Sequence, residues 1–223
     1  MPLARYKDLC IDVSEATVSA PFWGALLGLD VEYEDGGDAV LSGATPEQTV
    51  WINQVPEPRS VKQRVHLDVH AASVEEVESL GARRLSGEGE FGWTVMADRE
   101  DGEFCVFVRA EPPAYRFYEL GVDCVEPTAI ARWWGEVLGA KAEDDESGFS
   151  YLENVPGMPG AGMTFVPVPE PKTVKNRIHW DVTADSVQAL LDTGATLLRE
   201  RDDEIRWNVM ADPEGNEFCA FVP

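Results

Sequence analysis

The chain has 223 residues, of which 18 are basic and 41 acidic, for a formal charge of -23 at pH 7. A surface that acidic repels phosphate backbones and anionic membranes, which sets nucleic acid and lipid surfaces aside as partners. No apolar run approaches the ~20 residues that cross a bilayer, and Met1-Pro2-Leu3-Ala4-Arg5-Tyr6-Lys7-Asp8 lacks the apolar centre of a signal peptide. A cytoplasmic protein with reduced cysteines is therefore expected.

Seven tryptophans and a 44% hydrophobic content fit a packed globular chain. The four cysteines contain no C-x-x-C pair and make no disulfide framework.

In chain order, Tyr6–Val13 alternates and predicts a strand. A helix follows from Ser14, with Phe22, Trp23, Leu26 and Leu27 on its apolar side and Gly28 as its stop. Short strands come next at Asp30–Glu34, Ala39–Leu41 and Gln48–Val55, separated by turn residues. The order then restarts: strand Arg64–Val69, helix Ser73–Leu80 ended by Gly81, and strands near Arg83–Leu85, Gly92–Ala97 and Glu103–Val108. The remaining sequence repeats the whole series. It predicts strands at Phe117–Val125, Lys141–Glu143, Phe149–Leu152 and Met163–Val168, with a helix from Pro127 to Gly139. Beyond them lie Arg177–Val182, helix Ser186–Leu191, Thr196–Arg199, Trp207–Ala211 and Glu217–Val222.

The repetition is clearest in one stretch. Val55-Pro56-Glu57-Pro58-Arg59-Ser60-Val61-Lys62-Gln63-Arg64-Val65-His66-Leu67-Asp68-Val69 returns as Val168-Pro169-Glu170-Pro171-Lys172-Thr173-Val174-Lys175-Asn176-Arg177-Ile178-His179-Trp180-Asp181-Val182. Trp23 likewise recurs as Trp134, Trp93 as Trp207 and Cys105 as Cys219. Two homologous domains are expected, residues 1–110 and 113–223, each built of two βαβββ modules.

The duplicated stretch carries two of the three histidines. Asp68 and Asp181 follow His66 and His179 by two residues and share their strand face. Each is placed to orient an imidazole or keep it charged. Arg64 and Arg177 fall on the same face, where they pair with Asp68 and Asp181 or clamp a ligand. Trp23, Trp133 and Trp134 read as core, whereas Trp93 and Trp207 open a strand and are candidates to stack on a ligand. Cys105 and Cys219, in Phe-Cys-Val-Phe and Phe-Cys-Ala-Phe, read first as buried small hydrophobes. Glu103 and Glu217 are read as facing away from them. Asp8 and Glu119 are acids flanked by apolar residues, which favours a pocket.

Together, Phe22-Trp23 or Trp133-Trp134 followed by Leu-Leu-Gly or Val-Leu-Gly, the Arg-x-His-x-Asp strands, and Asp212-Pro213-Glu214-Gly215-Asn216-Glu217-Phe218-Cys219 resemble the glyoxalase-like members of the vicinal oxygen chelate superfamily. That group includes glyoxalase I, extradiol dioxygenases, fosfomycin-inactivating transferases and bleomycin-binding resistance proteins. The resemblance implies an α+β fold: tandem domains, each a cupped mixed sheet of two βαβββ modules with flanking helices. They pack as an internal pseudo-dimer, or the chain forms a homodimer.

The resemblance also implies metal ligands from three strands, usually His, His or Gln, and Glu. Here those positions carry Asp8, His66 and Cys105 in the first half and Glu119, His179 and Cys219 in the second. Such a set accepts zinc, iron or nickel more readily than magnesium or manganese. Three functions follow: a small-molecule binding protein of the bleomycin-resistance type, taking a cationic or aromatic ligand; a metal-dependent lyase, isomerase or dioxygenase; and a metal-free enzyme with His179 or His66 as general base. The altered triads favour the first. Whether the modules of a cup come from one half or both is open at this level.

Overall fold

The structure is a computed structural model describing residues 1–223. Four modules of the expected order follow one another. The first has β1 (Ala4–Val13), α1 (Ala16–Leu27), β2 (Asp30–Tyr33), β3 (Ala39–Ser42) and β4 (Val50–Gln54), and the second β5 (Val65–Ala71), α2 (Val74–Ser79), β6 (Arg83–Arg84), β7 (Thr94–Ala97) and β8 (Glu103–Val108). The third has β9 (Phe117–Cys124), α3 (Pro127–Leu138), β10 (Lys141–Asp144), β11 (Ser150–Glu153) and β12 (Gly162–Pro167). The fourth has β13 (Ile178–Ala184), α4 (Val187–Asp192), β14 (Thr196–Arg199), β15 (Asn208–Ala211) and β16 (Glu217–Phe221). The expected elements are all present, and a short 3-10 turn at Pro46–Gln48 joins them where a strand end was expected.

Two eight-stranded sheets result, and neither belongs to one half of the chain. One runs β14-β15-β16-β13-β1-β4-β3-β2 and the other β10-β11-β12-β9-β5-β8-β7-β6. The outer sheet therefore joins the first and last modules through the antiparallel pair β1–β13. The inner sheet joins the second and third through β5–β9. Each cup therefore takes one module from each half.

The duplicated Pro-Glu-Pro stretch makes the exchange. Its two copies cross, with Arg64 Nη1 donating to the Glu170 carbonyl and Arg177 Nη1 to the Glu57 carbonyl, both at 2.7 Å. Lys62 pairs with the buried Asp123 at 2.7 Å and Lys175 with the buried Asp12 at 2.5 Å. A cleft of about 380 Å³ lies between the copies.

On each central strand alternate residues face the helices. Leu9, Leu67, Leu120 and Trp180 are wholly buried there, each worth roughly 1.5–3 kcal/mol in apolar burial. The helices knit the sheets into a single core of 47 buried residues. Trp23 of α1 packs edge-on against Phe104 of β8, in the other sheet, at 5.4 Å, and Trp134 of α3 against Phe218 of β16 at 5.0 Å. Both helices stop at a left-handed glycine, Gly28 and Gly139, with φ of 73° in each. Their N-termini lack a side-chain cap of their own. Instead Glu100 accepts from the Ser14 and Glu15 amides, and Glu214 from those of Val125 and Glu126. No helix is long and apolar enough to cross a membrane.

Candidate functional site

The face of each sheet turned away from the helices is the polar one, and alternation puts the candidate residues on it. In the outer sheet Asp8 stands opposite Asp181 and Cys10 opposite His179. Cys219 lies beside Asp181 on the next strand. In the inner sheet Glu119 stands opposite Asp68 and Gly121 opposite His66, with Cys105 beside Asp68.

The ligand triads read along each half of the sequence are thus regrouped. Asp8 meets His179 and Cys219, not His66 and Cys105, and Glu119 meets His66 and Cys105, not His179 and Cys219. The module exchange is the reason. Arg64 and Arg177 also depart from expectation: they hold the crossing linkers and make no ion pair with Asp68 or Asp181. Glu103 and Glu217 share the cysteine face, two residues away, and are held by Arg59 at 3.4 Å and Lys172 at 2.6 Å.

The two polar floors differ at two positions, Asp8 against Glu119 and Cys10 against Gly121, and the second changes the geometry most. Gly121 has no side chain, and a Cβ placed there would overlap the imidazole of His66. His66 fills that space and sets Nδ1 2.8 Å from Asp68 Oδ1. Burial disfavours its charge, but the Asp68 carboxylate and the contact with Cys105 outweigh it, so His66 is held well above the usual imidazole range. In the outer sheet Cys10 occupies the corresponding place. His179 Nε2 is 3.8 Å from Asp181 Oδ1, too long for a hydrogen bond. Burial then lowers the His179 pKa, opposed by the Asp12 charge and reinforced by Lys175. The duplicate histidines are shifted in opposite directions.

The carboxylates follow the same logic. Glu119 is pushed up to about 7, by burial first and then by the Asp68 charge, against a hydrogen bond from Thr164. Asp181 is raised well above the carboxylate range by burial and the Asp8 charge. Burial likewise pushes the thiols of Cys10, Cys105 and Cys219 up, so all three are protonated at neutral pH.

A second difference lies in the walls. A bulge in β9 turns Tyr118 onto the same face as Glu119, beside His70 at 4.6 Å. Phe107, two residues after Cys105, sits 5.0 Å from Tyr118 and 5.6 Å from Trp93, and Phe91 stacks on Trp93 at 5.4 Å and 11°. Phe91 and Trp93 remain 46% and 41% exposed. The inner cup therefore has an acidic floor and an open aromatic wall. In the outer cup the equivalent bulge residue is Lys7, whose Nζ lies over Phe221 at 4.3 Å and pairs with Asp8 at 2.5 Å. There Trp207 covers Phe221 at 5.6 Å and is half-buried.

Cys10, Phe107 and Phe91 were not singled out from the sequence, though alternation from Asp8 and Cys105 would have found the first two. Tyr118 carries no such signal, because only the bulge brings it to this face.

The model of the glyoxalase-like domain family matches residues 8–107 and again 119–221. No curated protein matches the sequence. Among solved structures, glyoxalase I from Zea mays is 13% identical with a TM-score of 0.70, covering 98% of this chain and 92% of that one. A putative dioxygenase from Bacillus subtilis subsp. subtilis str. 168 is 14% identical, with a TM-score of 0.61 and coverage of 100% and 86%. The cppA protein from Streptococcus pneumoniae TIGR4 is 14% identical, with a TM-score of 0.53 and coverage of 100% and 99%. At these identities the likeness is one of fold. With both halves matched and the whole chain superposed, the protein belongs to the glyoxalase-like domain family of the vicinal oxygen chelate superfamily, in a tandem copy.

Proposed function

We propose that the chain is a small-molecule binding protein of the glyoxalase and bleomycin-resistance type, and that its ligand sits in the inner cup. The observation that carries this reading is the aromatic run Phe91–Trp93–Phe107–Tyr118 standing over Glu119 and Asp68. Exposed stacked rings offer a planar partner apolar area at low conformational cost. Two carboxyls beneath favour a ligand that ends in a cationic or hydrogen-bond-donating group, and the aromatic faces favour the same sign of charge. The ligand class is a planar aromatic bearing a basic group.

The superfamily implies a divalent metal in such a cup. Each cup holds donors for one: His66, Asp68 and Cys105 in the inner, and Cys10, His179 and Asp181 in the outer. The second reading is a metal-dependent lyase, isomerase or dioxygenase, in which such a group would hold the ion and the ion would polarise a bound oxygen.

A thermal-shift screen of planar aromatic amines against matched neutral aromatics tests the proposal. The amines are expected to raise the melting temperature of the intact protein but not of Trp93→Ala. A panel without hits, or hits indifferent to Trp93, sinks it.

A further inference from the structure

The two copies of the Pro-Glu-Pro stretch cross where the modules are exchanged, with a cleft of about 380 Å³ between them. None of its lining residues is among the floor and wall residues of either cup. We propose that this cleft binds a small anion carrying two phosphate groups, one held by each copy of the linker.

Positive charge gathers here. The chain has 18 lysines and arginines against 41 acids, yet Arg59, Lys62, Arg64, Lys175 and Arg177 all line this one cleft. Asp12, Glu57, Asp123 and Glu170 line it as well. Five cations thus stand against four carboxylates, a balance of +1 on a molecule of -23. Asp12 and Asp123 are buried and already matched, by Lys175 at 2.5 Å and Lys62 at 2.7 Å. Each ammonium keeps further donors free. Glu57 and Glu170 are exposed, where water and salt screen them.

The hydrogen-bonding groups have the same bias. Linker carbonyls are taken up by arginines: Glu57 by Arg177, Glu170 by Arg64, and Val61 by Arg59 at 2.9 Å. Linker amides are not taken up. Those of Ser60, Val61 and Lys62, and of their copies Thr173, Val174 and Lys175, donate to no acceptor in the protein. Arg64 donates to Glu170 through Nη1, while its Nε is buried without a partner. Such an atom is rare in a folded protein. The cleft therefore presents cations and free donors with its acceptors occupied, which is the setting that holds phosphate oxygens.

Duplication selects the kind of anion. Lys62 and Arg64 recur as Lys175 and Arg177, so each linker brings the same cationic pair to the cleft. A diphosphate meets both pairs, and a single phosphate meets one. The volume lies at the small end of the ~300–1,000 Å³ of small-molecule sites. Because the cleft exists only where the linkers cross, an anion held there also stabilises the crossing.

Calorimetric titration of the intact protein with pyrophosphate at constant ionic strength tests this, with orthophosphate and a nucleoside diphosphate in parallel. One pyrophosphate per chain is expected, bound at least ~10-fold more tightly than orthophosphate and raising the thermal midpoint. The tighter of the two diphosphates tells whether the group is free or esterified. Lys62→Gln and Lys175→Gln should each weaken binding at least ~10-fold, the worth of a hydrogen bond to a charged group. Lys141→Gln, on the edge strand β10, should change nothing. Each cleft variant leaves a buried aspartate unpaired, so the unaltered protein is also probed, by acetylation read in a mass spectrometer. The Lys62 and Lys175 side chains are 66% and 52% exposed, and pyrophosphate should slow their labelling but not that of Lys141. No saturable binding, pyrophosphate no tighter than orthophosphate, or labelling of Lys62 and Lys175 unchanged by pyrophosphate overturns the proposal.

Discussion

Gly121 and Cys10 stand at the same place in two copies of one sheet, and the histidine opposite each responds differently. Over Gly121, His66 reaches Asp68; over Cys10, His179 does not. Two-dimensional NMR of the imidazoles should therefore find His66 titrating well above the ordinary range and His179 below it. The ion pair of His66 contributes stability at low pH that is lost as pH rises through its raised folded value. Glu119 works with the opposite sign. Its pKa rises to about 7 from the ordinary 4.5, so the folded state resists ionising it and stability falls as pH climbs between those values. Glu119→Gln should accordingly stabilise the protein, with a gain that grows from pH 5 to pH 8 and reaches roughly 1–3 kcal/mol in urea melts. A pH-independent effect would place Glu119 in water.

The starts of α1 and α3 are fixed by a neighbouring module, whereas α2 and α4 are capped by their own Ser73 and Ser186. Glu100 reaches the amides before α1, and Glu214 those before α3. Replacing either by alanine should cost roughly 1–2 kcal/mol, the range of a lost N-cap, seen as a lower urea midpoint at unchanged slope. From the sequence, the Asp212-Pro213-Glu214-Gly215-Asn216 run reads only as a turn, because a glutamate two residues into a loop carries no sign of the helix it will meet. What was readable is the order of elements: alternation, helix periodicity and stop glycines placed all sixteen strands and four helices. Local signals sufficed there because each element is decided by its own residues. Register is another matter. The bulge that turns Tyr118 inward depends on β5 lying alongside, which no local pattern states.

Pairing across the halves is the feature that changes what the repeat means. Sequence self-similarity divides the chain at its middle, yet β1 pairs with β13 and β5 with β9. The signal was present in the Val55–Val69 stretch and its copy, but identical copies are equally suited to pairing within a half or between halves. The crossing seen here regrouped every candidate ligand. With one shared core, the chain should unfold in a single transition, and residues 1–111 alone should form a homodimer, each copy supplying the strand the other lacks. Light scattering showing a stable folded monomer of that fragment would mean that each half closes its own cup.

At the same scale, the two cups have parted: the inner has an open aromatic wall, and the outer carries Cys10 where the inner has Gly121. The central claim is that the inner cup binds a planar aromatic amine, and isothermal calorimetry on intact protein tests it most directly. One ligand per chain is expected, with affinity rising through pH 7 as Glu119 ionises. Trp93→Ala should weaken it at least ~10-fold, as loss of a stacking contact worth about 1.5 kcal/mol requires, and Glu119→Gln should flatten the pH dependence. Trp207→Ala should change nothing. Binding that survives Trp93→Ala and is lost in Trp207→Ala would put the ligand in the outer cup and contradict the account.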